Sequence, residues 1–230
     1  YFKGSIKNNI IYAVLFSTMT MLVSLILASL LNQLTKFRKL FRTLFFLPYI
    51  SSMVSVAVIW KMIFNPAGGP LNTILQQIGA ANPPQWLAST KWALFAVVIV
   101  SVWKSCGYYM LIFLAGLQNI PDSLYESAAL DGASSLKRYF KITLPMITPS
   151  IFLNMVLVTI NSFQVFDLVN VMTEGGPGMS TNVLSYRIYY EGFKRMNMGY
   201  ASSIAYFLFA LILAVTAVQF LMQKHWVHYD

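Results

Sequence analysis

The tightest constraint on this chain is the length of its uncharged stretches. Between Lys7 and Lys36 run 28 residues without an Asp, Glu, Lys or Arg, and a helix needs only about 20 predominantly apolar residues to cross a bilayer. Four further stretches repeat the pattern. One runs from Thr43 to Phe64, interrupted by Pro48 near its start and Lys61 near its end, and the next covers Trp92 to Leu117 with Lys104 near its middle. A fourth begins after Pro145 and reaches Val171, with Asp167 late in its course; Ala201 to Met222 is the fifth and cleanest. The expected fold class is an all-α membrane protein. Residues 1–230 form a single transmembrane domain, with spans at about 8–35, 43–64, 91–118, 146–170 and 201–223.

Composition agrees: 57% of the residues are apolar and 10% charged, against about 25% charged in ordinary soluble domains. A disordered chain, a disulfide scaffold and an ordinary cytosolic enzyme are excluded. One cysteine, Cys106, permits no internal disulfide and gives no metal-site spacing. The net charge of +9 does not point to nucleic acid, because the basic residues are scattered singly. Their densest cluster, Lys36, Arg38, Lys39 and Arg42, reads as a membrane flank.

That cluster sits between spans one and two without an acid, which places the link in the cytoplasm. Alternation then puts 120–143 and the tail after Lys224 inside, with external loops at 65–90 and 172–198. The N-terminus falls outside. With Tyr1 in place of an initiator methionine and no signal-peptide n-region, the chain reads as truncated, with an upstream span missing. In the first external loop Leu71, Ile74, Leu75 and Ile78 recur at helical spacing between Gly68-Gly69-Pro70 and Pro83-Pro84, predicting a short amphipathic interfacial helix. In the second, the spacing has Thr181 capping a helix with Tyr186, Tyr189, Tyr190 and Phe193. Those aromatics fit either an interfacial belt or a docking surface.

The segment 120–145, IPDSLYESAALDGASSLKRYFKITLP, is the most informative. It reads as two short helices around a break: Asp122 caps the first, Gly132 supplies a positive-φ stop, and Ser134 or Ser135 starts the second. Leu136, Tyr139, Phe140 and Thr143 then share a face until Pro145. Small alanines flanked by Leu124, Tyr125, Leu130 and Phe140 form a surface able to enter a groove on another protein, with Glu126 and Asp131 at its edge.

Glu126, Ala128, Asp131 and Gly132, followed by Ile142, Leu144 and Pro145, closely resemble the EAA motif of permease subunits of binding-protein-dependent ABC importers; Ser127 stands where that motif has its first alanine. FRTLFFLPY (41–49), LAGLQNIP (114–121), DGA with FKITLP (131–145) and VMTEGGPGMST (171–181) resemble the carbohydrate branch, and within it the maltose-type first permease subunit. The resemblance implies a MetI-like helical bundle with one more N-terminal span, in the prokaryotic plasma (inner) membrane. It also implies partners: a second permease subunit, two cytoplasmic ATPase subunits, and an extracellular or periplasmic solute-binding protein delivering a sugar. Tyr125, Glu126, Ser127, Ala128, Ala129, Asp131, Gly132 and Ala133 would form the coupling hairpin seated in the ATPase, with Glu126 pairing with a basic residue there. The alternative is a plain interfacial hairpin. This chain would bind no cofactor itself; ATP and Mg would sit on the partner ATPase. Consistently, the sequence has no phosphate-binding G-x-x-x-x-G-K-[ST] loop.

Ionisable groups inside a span are costly and are functional candidates by default. Lys104 lies about 12 residues, or roughly 18 Å, from the outer end of span three, near mid-bilayer, whereas Asp167 lies near the outer surface. A direct pair between them is not expected. Each has either a solute contact or a structural hydrogen bond or ion pair. Ser101, Lys104, Ser105 and Tyr108 form one helical stripe, and Asn154, Asn161, Ser162, Gln164 and Asp167 are too polar to face lipid. These residues supply the chemistry of a sugar pathway, or simply glue helices together. The resemblance places a sugar site on these two spans, with a tyrosine at the position of Tyr108. A permease for another organic solute such as a glycerol phosphate is the alternative, Lys104 then meeting the anion. A self-contained secondary carrier or channel is less favoured because of the hairpin. An enzyme is the weakest reading, for no nucleophile, base and acid cluster appears and His225 and His228 lie in the tail.

Overall fold

The computed structural model describes residues 1–34 and 36–227; Thr35, which ends the expected first span, and His228 lie outside the described residues. Among the described residues the secondary structure is helical throughout. Four helices are long and apolar enough to cross a membrane alone: α1 (Phe2–Gln33), α5 (Ala93–Gln118), the run Thr148–Met172, and α12 (Met198–Gln223). The run Thr148–Met172 holds α9 (Thr148–Phe163) and α10 (Asp167–Met172) with a break at Gln164–Phe166. α1 starts six residues ahead of the expected position.

Span two departs from a single helix. It forms α2 (Arg38–Ile50) and α3 (Met53–Ile63), bent by 93°. Pro48 removes one amide from the ladder, but the chain turns three residues later, where Ser51 and Ser52 take extended conformations. α2 keeps no buried side chain of its own.

α5 is the central helix, its burial running along almost its whole length. α1 packs lengthwise upon it through a stripe of Ser5, Asn9, Tyr12, Phe16, Thr20, Ser24, Ala28 and Leu31. Small side chains there let the two backbones approach, as membrane helix pairs require, and Ser24 Oγ donates to the Cys106 carbonyl at 2.9 Å. Two glycines of α5 let other helices come equally close. A β-carbon on Gly107 would lie 1.9 Å from the Phe45 carbonyl oxygen of α2, and one on Gly116 would lie 2.2 Å from Ser150 Oγ of α9. α12 buries only Ala201, Ile204 and Leu208. A helix apolar all round with so little covered has its outer face toward lipid.

The two ends of the bundle differ. At one, Ser29 near the end of α1 hydrogen bonds Tyr139 at 3.1 Å, which joins the basic link and the segment 120–143 at the same end. At the other, Asn8 Nδ2 donates to the carbonyls of Met179 and Asn182, and Asn9 Oδ1 accepts from the Leu184 amide. The start of α1 is thus bound to the loop 172–198.

Several local expectations are corrected. α4 (Pro70–Gln77) forms in the loop 65–90, but Ile78 is its cap and not a member. The segment 120–143 contains α6 (Asp122–Leu130) and α7 (Ser135–Arg138). Asp122 does not cap α6; it occupies the first turn, and Pro121 is the N-cap. Gly132 has the positive φ of +73°, and Ser134 caps α7 by accepting from the Lys137 amide. A π turn over Tyr139–Thr143 follows, running into α8 (Leu144–Met146). The wider turn splits the expected face: Thr143 is buried, while Leu136 and Phe140 are exposed. Thr181 caps no helix either; its hydroxyl donates to the Gly176 carbonyl at 2.7 Å, and α11 (Leu184–Tyr189) starts after Val183.

Candidate functional site

A cavity of about 260 Å³ opens where the bend of span two, the middle of α5 and the break of span four meet. α5 contributes Ser101, Ser105 and Tyr109; α1 contributes Tyr12 and Phe16; the bend contributes Tyr49 and Met53; and the end of α9 with the break contributes Asn161 and Gln164 to Leu168. Its polar groups are mutually braced. Tyr12 OH donates to Ser101 Oγ at 2.7 Å, and Ser101 Oγ donates to the Val97 carbonyl at 2.8 Å. Asn161 Nδ2 donates to Tyr109 OH at 2.9 Å, while Asn154 Nδ2 holds the Tyr109 carbonyl at 3.1 Å. Aromatic faces, amides, hydroxyls and one carboxylate, Asp167, are therefore gathered in one space, the chemistry by which polyhydroxylated solutes are held.

Of the residues named from sequence, Ser101, Ser105, Asn161, Gln164 and Asp167 line this cavity. Ser162 does not: it is buried, and its hydroxyl donates to the Thr159 carbonyl at 2.6 Å. Tyr108 stands behind the wall, its ring stacked on Tyr49 at 4.6 Å and 11°. Lys104, 4% exposed, turns from the cavity to the bend, donating to the carbonyls of Pro48, Tyr49 and Ser51 at 2.9, 2.9 and 2.7 Å. Among the described residues, the salt bridges are Arg187 and Arg195 with Glu191, so Lys104 and Asp167 form no pair. Sequence reasoning missed Tyr12, Tyr49 and Tyr109. A phenol in an apolar span was the available signal, but Tyr is also an ordinary membrane residue.

The hairpin occupies the end of the bundle where α1 runs out. Tyr125 is half-buried, its hydroxyl 2.9 Å from Thr143 Oγ1. Glu126, Ser127, Ala129, Asp131 and Gly132 are exposed and Ala128 and Ala133 half-buried. Around them Leu130, Leu136 and Phe140 are 90%, 72% and 62% exposed, a rim of apolar side chains that water alone would not favour.

At the opposite end a second cavity of about 350 Å³ is lined by Tyr186, Arg187, Tyr190 and the turn Glu174-Gly175-Gly176. Arg187 is bound to Glu191, which is 1% exposed. Burial, and then the nearby Glu174 carboxylate, push the Tyr186 phenol above its ordinary pKa. Tyr189 and Phe193 stack on each other in the same segment.

A bundle of broken spans around a polar mid-fold cavity, with an exposed hairpin at one end, is the architecture of a membrane permease. The chain belongs to the family described as "Binding-protein-dependent transport system inner membrane component", which matches residues 10–227. It is 38% identical over 221 residues to the probable ABC transporter permease protein YurN of Bacillus subtilis, covering 95% of this chain and 76% of the relative. It is 37% identical over 232 residues to the sn-glycerol-3-phosphate transport system permease protein UgpA of Pectobacterium atrosepticum, covering 100% and 78%. Its fold matches a chain of a bacterial ABC transporter involved in the import of the acidic polysaccharide alginate, with a TM-score of 0.88 and 26% identity over 97% of this chain and 79% of that one. The chain is thus a multi-pass inner-membrane ABC permease, a transport component rather than an enzyme.

Proposed function

We propose that this chain forms half of the pathway of an ATP-driven importer for a sugar or oligosaccharide, and that the hairpin 120–143 couples it to a cytoplasmic ATPase. The observation that carries the reading is mechanical continuity. The hairpin runs through its π turn and α8 into α9, whose far end supplies Asn161 to the cavity. At 1.5 Å per residue the 16 residues of α9 span about 24 Å, so a push on the hairpin is delivered to the cavity by one helix.

In this reading Tyr125, Glu126, Ser127, Ala128, Ala129, Asp131, Gly132 and Ala133 seat in the ATPase, with Glu126 meeting a basic residue there. Two ATPase subunits hold ATP and Mg, a second permease completes the pathway, and a solute-binding protein delivers the sugar. ATP-driven closure of the ATPase dimer moves the hairpin and switches the cavity between inward and outward access. Ser101, Ser105, Tyr109, Asn161, Gln164 and Asp167 offer the solute its hydrogen bonds. Although UgpA by its name carries a glycerol phosphate, a neutral solute fits this cavity better. The three N–H donors of Lys104 are taken by carbonyl oxygens, and the charged residue of the lining is Asp167, which repels an anion.

The test is the assembled importer in proteoliposomes with Glu126→Ala and Gly132→Val. Both variants should insert and lose solute uptake together with binding-protein-stimulated ATP hydrolysis. Unchanged uptake in both would sink the coupling role.

A further inference from the structure

A helix that ends within a bilayer leaves carbonyl oxygens with no water to bond. α2 ends at Ile50, in the middle of the expected second span, and α3 leaves at 93° from it. In an unbroken helix the oxygens of Pro48, Tyr49 and Ser51 would accept from amides four residues on, those of Ser52, Met53 and Ser55. Here all three accept from Lys104 Nζ. An ammonium has three N–H donors, and this one spends them all on the bend. Tyr49, one of the acceptors, is also the residue whose ring stacks on Tyr108 and faces the cavity beside Met53.

We infer that Lys104 is a positioning residue of the pathway: its ammonium replaces the lost helix amides, holds span two bent, and thereby seats Tyr49 and Met53 in the cavity wall. The two halves of the span have different neighbours. α2 lies on α5 through the close approach at Gly107, whereas α3 lies beside α10, where Lys61 Nζ donates to the Val171 carbonyl at 3.2 Å. The angle between the halves is therefore governed at residues 51–52, where Lys104 acts. The transport consequence rests on the pathway reading above; the geometry does not.

The experiment places spin labels at Leu40 and Met62, which are 54% and 68% exposed, in a Cys106→Ala background of the complete importer in lipid nanodiscs. At 1.5 Å rise per residue the two Cα atoms lie about 24 Å apart across a right-angled bend and about 33 Å apart in a straight helix. Wild type should give a single short distance. Lys104→Met should lengthen it by roughly 5 Å or more and bring the ratio of binding-protein-stimulated to basal ATP hydrolysis toward one. Lys104→Arg, still a donor, should restore both. A lysine that served only to bind an anion would leave the distance alone, so an unchanged distance in an assembled Lys104→Met complex overturns the inference. Where that variant does not assemble, Lys104→Gln, with two N–H donors, should give an intermediate distance, and a wild-type value there overturns it equally. A wild-type complex that neither hydrolyses ATP nor moves solute would defeat the pathway reading while leaving the distance comparison intact.

Discussion

Gly107 of α5 lies so close to Phe45 of α2 that a β-carbon on it would fall 1.9 Å from the Phe45 carbonyl oxygen and 2.5 Å from its carbonyl carbon. Both are backbone atoms, which no side-chain rotation can clear. Gly107→Ala should therefore displace α2 and cost at least the roughly 1–3 kcal/mol of an overpacked core. Gly116→Ala meets chiefly the Ser150 hydroxyl, which can rotate away, and should cost less. Thermal unfolding of the purified complex in detergent ranks the two. Equal stability of the Gly107 variant and wild type would refute the close approach.

The Glu191 ion pairs at the end of α11 and just beyond it make a second prediction. Glu191 is 2% exposed at its side chain and faces Arg187 at 6%, with Arg195 beside it at 59%. Glu191→Gln leaves Arg187 buried without its counter-charge and should cost about 3–5 kcal/mol. Arg195→Gln removes a solvent-screened partner and should cost no more than about 1 kcal/mol. The same melting assay separates them, and a reversed order would contradict the burial.

Cavity chemistry is tested at Tyr109. Tyr109→Phe deletes the hydroxyl that receives the Asn161 amide, a net loss of about 0.5–1.5 kcal/mol. Half-maximal solute concentration for uptake should rise roughly 2- to 10-fold, with assembly unaltered. Tyr108→Phe, at a ring that stacks on Tyr49 outside the lining, should change it little.

Coupling is tested within the hairpin, where α6 is tied to the π turn that leads into span four. Tyr125→Phe removes the 2.9 Å bond to Thr143 without altering the exposed motif. ATP hydrolysis should continue while the number of solute molecules moved per ATP falls. Parallel loss of both rates would instead mean that the Tyr125 hydroxyl serves the seat on the ATPase rather than the link to Thr143.

Much of this protein was legible because membranes impose simple arithmetic. Uncharged runs long enough to cross a bilayer located the spans, and Ser134 and Gly132 punctuated the hairpin as their capping and positive-φ chemistry requires. The cavity was half legible: a stripe on α5 and the polar end of α9 led to Ser101, Ser105, Asn161, Gln164 and Asp167. Tyr12 and Tyr49 were not, since their place depends on which face α1 presents to α5 and on a turn three residues beyond Pro48. Asp122 and Thr181 misled for a related reason. Each has the side chain of a cap, but the caps fall one residue before the first, at Pro121, and two after the second, at Val183.

Sequence by itself determined that the chain lies in a membrane and about how many times it crosses. These follow from local quantities: hydropathy over a span length, charge in short links, and residues whose spacing along the chain is their spacing in space. The tertiary structure alone decided what Lys104 does. A buried ammonium must find acceptors, and the sequence offers both a solute and a backbone. Only the 93° bend, which strips three carbonyl oxygens of their helical amides within reach of α5, shows that the backbone claims it.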